Sequence, residues 1–150
     1  MTRADSLGEL EREVGVLIRR VKRVIGERAR SVHESLQPSS YLLLTHLAEQ
    51  GPSRSSVFVD AFAIDKGAIS RQVQHLVELG LVERTPDPAD GRAMLISVTA
   101  DGLERMQSVA HERRRLLDER LGGWTEADLE TLVTSLHRYN QALEGVRVPA

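Results

Sequence analysis

Apolar residues near the start of the chain recur with the alternating 3–4 spacing of a helix that packs along one stripe. The positions that follow this spacing are Leu7, Leu10, Val14, Leu17, Val21 and Val24. The stripe predicts a helix over residues 7–29 that packs along its length against another helix. Ile18 and Ile25 widen the stripe toward a second face. We therefore expect this helix to have two partners, its own fold and a second chain.

Three shorter helices are predicted in the middle of the chain. The first covers residues 38–50, because Pro38 suits the opening position of a helix. The second, over residues 55–63, has a less regular pattern. The third follows Asp65, an N-cap residue type, and its apolar stripe is Ile69, Val73, Leu76 and Val77. Two short helices joined by a tight turn, the second amphipathic, form a helix-turn-helix pattern.

A strand-like pattern appears directly after the third of these helices. Residues 82–85 and 94–98 predict two short strands, and the linker between them must turn because it contains Pro86, Pro88 and Gly91. A lone hairpin that follows a helix-turn-helix is the arrangement of a winged helix.

Two further helices are predicted toward the end of the chain. Thr99 can cap a helix over residues 101–121, with apolar positions that include Leu103 and Leu117, and Gly122 breaks it. Thr125, with a carboxylate three residues later, opens a final helix. Its heptad positions are Leu129, Leu132, Leu136, Tyr139 and Leu143.

These elements predict a mostly helical (α+β) fold with a small β-hairpin wing. Within a single domain over residues 1–150, residues 38–98 would form the winged-helix lobe, and residues 1–37 and 99–150 a helical dimerisation lobe. Two-edged heptad helices at both chain ends fit a homodimer, because a symmetric interface uses one surface twice. The residues assigned to that interface are Leu7, Leu10, Val14, Leu17, Leu129, Leu132, Leu136 and Leu143.

The composition of the chain excludes several kinds of functional site. The chain has no cysteine, which excludes disulfides and thiolate metal sites and fits a reducing cytoplasm. The longest apolar runs are too short to span a bilayer, so no membrane association is expected. The histidines lack metal-binding spacing, and no nucleophile with a base is visible. We therefore predict no metal, no cofactor and no enzymatic activity.

The outward face of the helix after Asp65 carries residue types that read DNA. Serine, arginine and glutamine reach base edges and phosphates in a major groove, and small residues let the helix start approach the backbone. The predicted contact residues on this helix are Lys66, Gly67, Ala68, Ser70, Arg71, Gln74 and His75. A merely solvated helix face is the alternative.

The hairpin turn carries a carboxylate two residues before a guanidinium. Asp90 can accept hydrogen bonds from Arg92 or from N–H groups of the turn, and an arginine at a hairpin tip suits a narrow minor groove. The alternative is a surface ion pair that only fixes the turn.

The formal net charge of −2 gives DNA binding no support from overall charge. The cationic residues between positions 65 and 92 are outnumbered by acidic ones, so a few positioned groups must neutralise phosphate. We include Arg84 among them.

Residues 64–102 resemble the core signature of the MarR (multiple-antibiotic-resistance-type) family. The matching pieces, in order and spacing, are DKGAISR, LVELGLVER, DPADGR and VTADG. Residues 55–63 depart from the family pattern, and we expect Phe58 and Phe62 to take over the packing role there.

The resemblance implies a dimeric winged-helix transcription factor that binds a pseudo-palindrome in double-stranded DNA. Such proteins are usually repressors released by a small ligand, which family analogy suggests is hydrophobic or phenolic. By motif match, Ser70 and Arg71 would enter the major groove and Arg92 the minor groove, with Asp90 orienting it. Arg54 resembles a phosphate-contacting position. The main alternative is a dimeric winged-helix scaffold that binds protein instead of DNA.

Overall fold

The computed structural model describes residues 1–146, which form helices and one antiparallel hairpin. The mostly helical fold with a small hairpin wing is thereby confirmed. The elements are α1 (Arg3–Val32), α2 (Pro38–Gln50), α3 (Ser55–Phe62), α4 (Lys66–Glu78), β1 (Val82–Asp87), β2 (Asp90–Val98), α5 (Ala100–Arg120) and α6 (Glu126–Leu143).

Helix α1 is longer at both ends than the heptad stripe predicts. Its N-cap is Thr2, whose hydroxyl accepts the Asp5 N–H at 3.1 Å, while the Asp5 carboxylate accepts the Thr2 N–H at 2.8 Å. This reciprocal capping box satisfies two otherwise unpaired amides and starts the helix before its first apolar residue. At the other end Ala29 and Val32 are buried, because the helix continues into the core beside α2.

The core lies within residues 1–110, one of two compact units of the chain. The stripe predicted on α4 is buried there at Ile69, Val73 and Leu76. Phe58 of α3 is fully buried and Phe62 is half-buried against the same cluster, as predicted. Removing one such large side chain from water stabilises the fold by about 1.5–3 kcal/mol.

The hairpin is longer than the sequence predicts. Strand β1 continues through Pro86, which pairs with Met94, and the register shifts between Pro86 and Asp87. A proline is tolerated there because it lies at a strand irregularity, where a missing N–H costs no regular ladder bond. The hairpin is also tied to the chain before α3, since Ser53 and Ile96 exchange backbone hydrogen bonds of 3.0 and 2.9 Å.

The start of α5 is fixed against the end of the α4–β1 connection. Thr99 caps the helix as predicted: its hydroxyl accepts the Gly102 N–H at 3.0 Å and donates to the Gly80 carbonyl at 2.7 Å. Gly102 lies so close to the residue before β1 that a Cβ there would be 2.4 Å from the Leu81 carbonyl oxygen. Leu103 and Leu117, which the pattern placed on the helical stripe, are 43% and 53% exposed.

The second compact unit, residues 111–150, contains α6. The predicted capping box is present, since Thr125 accepts the Asp128 N–H and the Asp128 carboxylate accepts the Thr125 N–H. The leucines of its heptad stripe are between 39% and 49% exposed in the single chain, and they are Leu129, Leu132, Leu136 and Leu143.

The apolar stripe of α1 is open over its first turns in the same way. Leu7, Leu10 and Leu17 are between 42% and 50% exposed, and Val14 is half-buried. The assignment of these residues to a dimer interface stays a prediction, as does the division into a winged-helix lobe and a dimerisation lobe. Among residues 1–146, no helix combines the length and the apolar character that crossing a bilayer requires.

Candidate nucleic-acid interface

Helix α4 presents a polar face because its apolar residues are turned into the core. Its N-cap is Asp65, as predicted, and the carboxylate accepts the Ala68 N–H at 2.9 Å. Of the seven predicted DNA contacts on this helix, Ala68 and His75 are half-buried. The other five are exposed, and they are Lys66, Gly67, Ser70, Arg71 and Gln74.

At the start of α4, Gly67 has no side chain, and the Arg71 guanidinium lies beside its backbone. A Cβ at Gly67 would lie 3.4 Å from the Arg71 Nη1 and 3.2 Å from the Asp65 Oδ1. Any larger residue at this position would therefore crowd the Asp65 carboxylate that caps the helix, and it would contact the Arg71 guanidinium. The absence of a side chain also keeps the free N–H groups of the first turn open to an anionic partner.

Tertiary packing brings a strand residue onto the polar face of α4. A shallow cleft of about 380 Å³ is lined by Ser70, Arg71, Gln74, His75, Glu78 and Arg84. Five of these residues are on α4, while Arg84 is on β1. The cleft therefore combines two guanidinium groups with a carboxylate, an amide, an imidazole and a hydroxyl.

A chain of hydrogen bonds runs through this cleft. Arg84 Nη1 donates to the Gln74 Oε1 at 2.9 Å, and Gln74 Nε2 donates to the Glu78 Oε1 at 3.2 Å. The Gln74–Glu78 bond has the i,i+4 spacing that neighbours on a helix face share. The Arg84 contact depends on how β1 packs beside α4.

His75 has a contact that the sequence does not indicate. Its Nε2 lies 3.0 Å from the carbonyl oxygen of Ser35, in the segment between α1 and α2. The imidazole ring therefore links α4 to the connection between α1 and α2. Its role as a DNA contact stays a prediction.

The tip of the hairpin carries the second group of predicted contacts. The Asp90 carboxylate accepts the backbone N–H of Arg92 at 3.1 Å, one of the two arrangements expected for this pair. The Arg92 side chain is exposed and forms no ion pair within residues 1–146. Asp90 thus shapes the turn, and the guanidinium projects from a backbone that is fixed beside it.

Arg54 is engaged with the hairpin. Its Nε donates to the Asp87 Oδ2 at 2.7 Å, and its Nη2 forms an ion pair with the same oxygen. Asp87 also accepts the Ala89 N–H at 2.9 Å, and its side chain is only 10% exposed. The Ala89 amide and then the Arg54 guanidinium hold the pKa of Asp87 below its ordinary value, because both stabilise the carboxylate. Phosphate contact by Arg54 stays a prediction, but this residue also clamps the wing to the start of α3.

Two contacts on this surface were not predicted from the sequence. Glu78 is on the outward face of the helix in projection, and its i,i+4 spacing from Gln74 could have indicated the hydrogen bond between them. Asp87 could not be paired with Arg54 from the sequence, since the two are 33 positions apart. No group of three or more histidine and acidic side chains within residues 1–146 is arranged to hold a metal ion.

Comparison with known proteins identifies the family of the chain. The model of the MarR family matches residues 35–93, from the connection between α1 and α2 into β2. An uncharacterized HTH-type transcriptional regulator of Bacillus subtilis, YxaD, is 32% identical over 133 residues, which cover 89% of this chain and 92% of the relative. The HTH-type transcriptional repressor IacR of Pseudomonas putida is 33% identical over 87 residues, covering 57% of this chain and 52% of the relative.

A solved structure shares the fold. It is described as a putative MarR family transcriptional regulator from Listeria monocytogenes complexed with 26mer DNA. It superposes with a TM-score of 0.70 at 19% identity, covering 93% of this chain and 97% of that one.

Proposed function

The chain belongs to the MarR family of DNA-binding transcriptional regulators, and we propose that it acts as a repressor that binds a pseudo-palindromic operator as a homodimer. The family is regulatory and not enzymatic, in agreement with the relatives named above.

The observation that carries the proposal is the polar, arginine-bearing face of α4. Ser70, Arg71 and Gln74 project from an amphipathic helix whose opposite side is fixed in the core. Such side chains can hydrogen-bond to base edges in a major groove. A face that docks onto protein would be more apolar, so this composition favours DNA over the scaffold alternative. Arg92 on the wing supplies the group for an adjacent minor groove.

Exposed leucines support the homodimer. The stripes on α1 and α6 leave large apolar side chains open to water in the single chain, and a symmetric partner would cover them. Two recognition helices related by a two-fold axis would bind half-sites whose centres are about 10 bp apart.

The proposed function includes repression of a promoter and release of the protein from DNA by a small molecule. The relative IacR is named as a repressor, and blocking a promoter requires only tight operator binding. Family membership suggests a small hydrophobic or phenolic effector that would weaken binding. A regulator of this kind would work in the cytoplasm, where it meets the chromosome.

The test is selection of binding sites from a random duplex library, followed by a footprint on the enriched sequence. We expect an enriched inverted repeat and protection of both half-sites at saturating protein. A panel of small phenolic compounds should contain molecules that release the complex. Enrichment of no sequence, or protection of one asymmetric half-site only, would contradict the proposal.

A further inference from the structure

We propose that Arg84 and Glu78 are positioning residues that hold the Gln74 amide for a bidentate contact with adenine. This inference rests on the proposed DNA reading by α4. It assigns to Arg84 a role other than phosphate contact, and it names one base that the α4 face would prefer.

The two neighbours of Gln74 fix the orientation of its amide. A guanidinium can only donate hydrogen bonds, so the amide oxygen must face Arg84, at 2.9 Å. A carboxylate can only accept, so the amide nitrogen must face Glu78, at 3.2 Å. Rotation of the amide by 180° would place oxygen against carboxylate and nitrogen against guanidinium, and both contacts would become repulsive. The neighbours therefore select one of two otherwise similar rotamers.

The selected orientation leaves a matched donor and acceptor free. An amide oxygen accepts two hydrogen bonds and an amide nitrogen donates two, so one of each remains after Arg84 and Glu78 are satisfied. Adenine presents an acceptor at N7 and a donor at N6 on its major-groove edge, and glutamine pairs with both. A pre-oriented amide also loses less freedom on binding, because it is already immobilised.

Docking on DNA would strengthen this arrangement. The cleft is open to solvent in the free chain, where such exposed hydrogen bonds contribute little to stability. When a base covers the cleft, water leaves and the same hydrogen bonds become stronger in the lower dielectric. The positioning effect would therefore appear in DNA specificity and not in the melting temperature.

The experiment compares full-length variants on single-base variants of the operator obtained by the selection described above. Gln74→Ala should reduce the preference for adenine at one base pair per half-site by roughly 5- to 150-fold, the range of one bidentate pair. Arg84→Met keeps an unbranched apolar side chain at this position but removes the hydrogen-bond donor. It should reduce the preference at that same base pair by about 5-fold or more. The double variant should be no less specific than Gln74→Ala alone, since both changes remove one contact.

Two variants separate positioning from charge and from folding. Arg92→Met removes the same charge at the wing and should weaken binding to all operators evenly. Arg84→Lys retains a donor and should keep part of the adenine preference. Thermal unfolding of each variant should stay close to that of the unaltered protein.

Two results would overturn the inference while leaving the proposed function intact. The first is that Arg84→Met weakens binding to all operators equally and lowers the salt slope by about one unit per subunit, as loss of a phosphate contact would. The second is that Gln74→Ala and Arg84→Met change the preference at different base pairs, or at none. If the unaltered protein enriches no sequence, the proposed function itself fails, and this inference fails with it.

Discussion

At the scale of single residues, Arg71 and Arg92 differ in their surroundings although both are exposed. Arg71 borders the cleft on α4 and also a second cleft that includes Gln37 and Ser40 near the start of α2. It is therefore surrounded by groups that a base edge would meet. Arg92 projects from a turn whose backbone is held by Asp90. We expect the first arginine to read sequence and the second to sense groove width and phosphate.

Substituting each arginine with alanine should separate these roles. Arg71→Ala should weaken binding and flatten the preference at one base pair per half-site by about 1–3 kcal/mol. Arg92→Ala should weaken binding evenly and lower the salt slope by about one unit per subunit. The measurement is affinity for single-base operator variants at several salt concentrations. If Arg92→Ala leaves affinity unchanged but lowers the melting temperature, Arg92 serves only to hold the turn.

At the scale of elements, the wing is held by contacts that come from outside the hairpin. Arg54, the N-cap residue of α3, pairs with Asp87 at the end of β1, and Ser53 pairs with Ile96 of β2. A two-stranded hairpin alone is only marginally stable in water. These contacts therefore fix the direction in which the wing projects from the helix-turn-helix.

The Asp87 contact should make the stability of this region depend on pH. The pKa of Asp87 is lowered in the folded chain, so its stabilising effect is fully present above the ordinary value of 3.8 and is lost as pH falls through the folded value. Asp87→Asn should therefore lower the free energy of unfolding near neutral pH. The difference from the unaltered protein should shrink below about pH 4.

Denaturant unfolding of both proteins at several pH values would measure this difference. Asp60→Asn on the exposed side of α3 removes the same charge without a wing contact and serves as the control. A stability difference that is the same at every pH would mean that the Asp87 carboxylate contributes through packing and not through its charge.

The junction of the winged helix and α5 depends on one close approach. Because a Cβ at Gly102 would meet the Leu81 carbonyl oxygen at 2.4 Å, Gly102→Ala must move α5 away from the backbone at Leu81. We expect this overpacking to destabilise the protein by about 1–3 kcal/mol, measured by thermal unfolding. Gly8→Ala, at a helical position with no atom within 4 Å of the new carbon, should be neutral or stabilising. Equal melting temperatures for the two variants would show that α5 accommodates the extra carbon.

At the scale of the whole molecule, the apolar stripes on α1 and α6 are partly exposed within residues 1–146. Burying them against a second copy would remove the exposed area of the leucines on α1 and α6 from water. Truncation of residues 1–30 would be an ambiguous test, because it would also remove Ala29 from the core. Point substitutions on the exposed stripe avoid this ambiguity, because they leave Ala29 in place.

Replacing Leu10 and Leu17 together with glutamate should convert the proposed dimer to a monomer. Two carboxylates per subunit would have to be buried in an apolar interface, at a cost that the remaining contacts cannot offset. Size-exclusion chromatography with light scattering measures the mass. Leu42→Glu, at another leucine that is 37% exposed, is the matched control and should stay dimeric. A double variant that remains dimeric would place the interface elsewhere.

The starts of α4, α5 and α6 were determined by the sequence because their causes are local. Asp65, Thr99 and Thr125 cap helices through hydrogen bonds that reach only three positions along the chain. The spacing of apolar residues likewise predicted the buried face of α4, and that prediction required no information about the neighbouring elements. The missed start of α1 was local too, since Thr2 and Asp5 form the same motif before the first apolar residue.

Only the tertiary structure decided which polar groups meet. Arg54 and Asp87 are 33 positions apart, and His75 lies 40 positions from the Ser35 carbonyl. Arg84 reaches Gln74 because β1 packs beside α4. Local propensity cannot specify such pairs, because each depends on where the apolar core places two distant backbones. The sequence therefore determined which residues face outward, and the packing of the core decided how those residues are oriented.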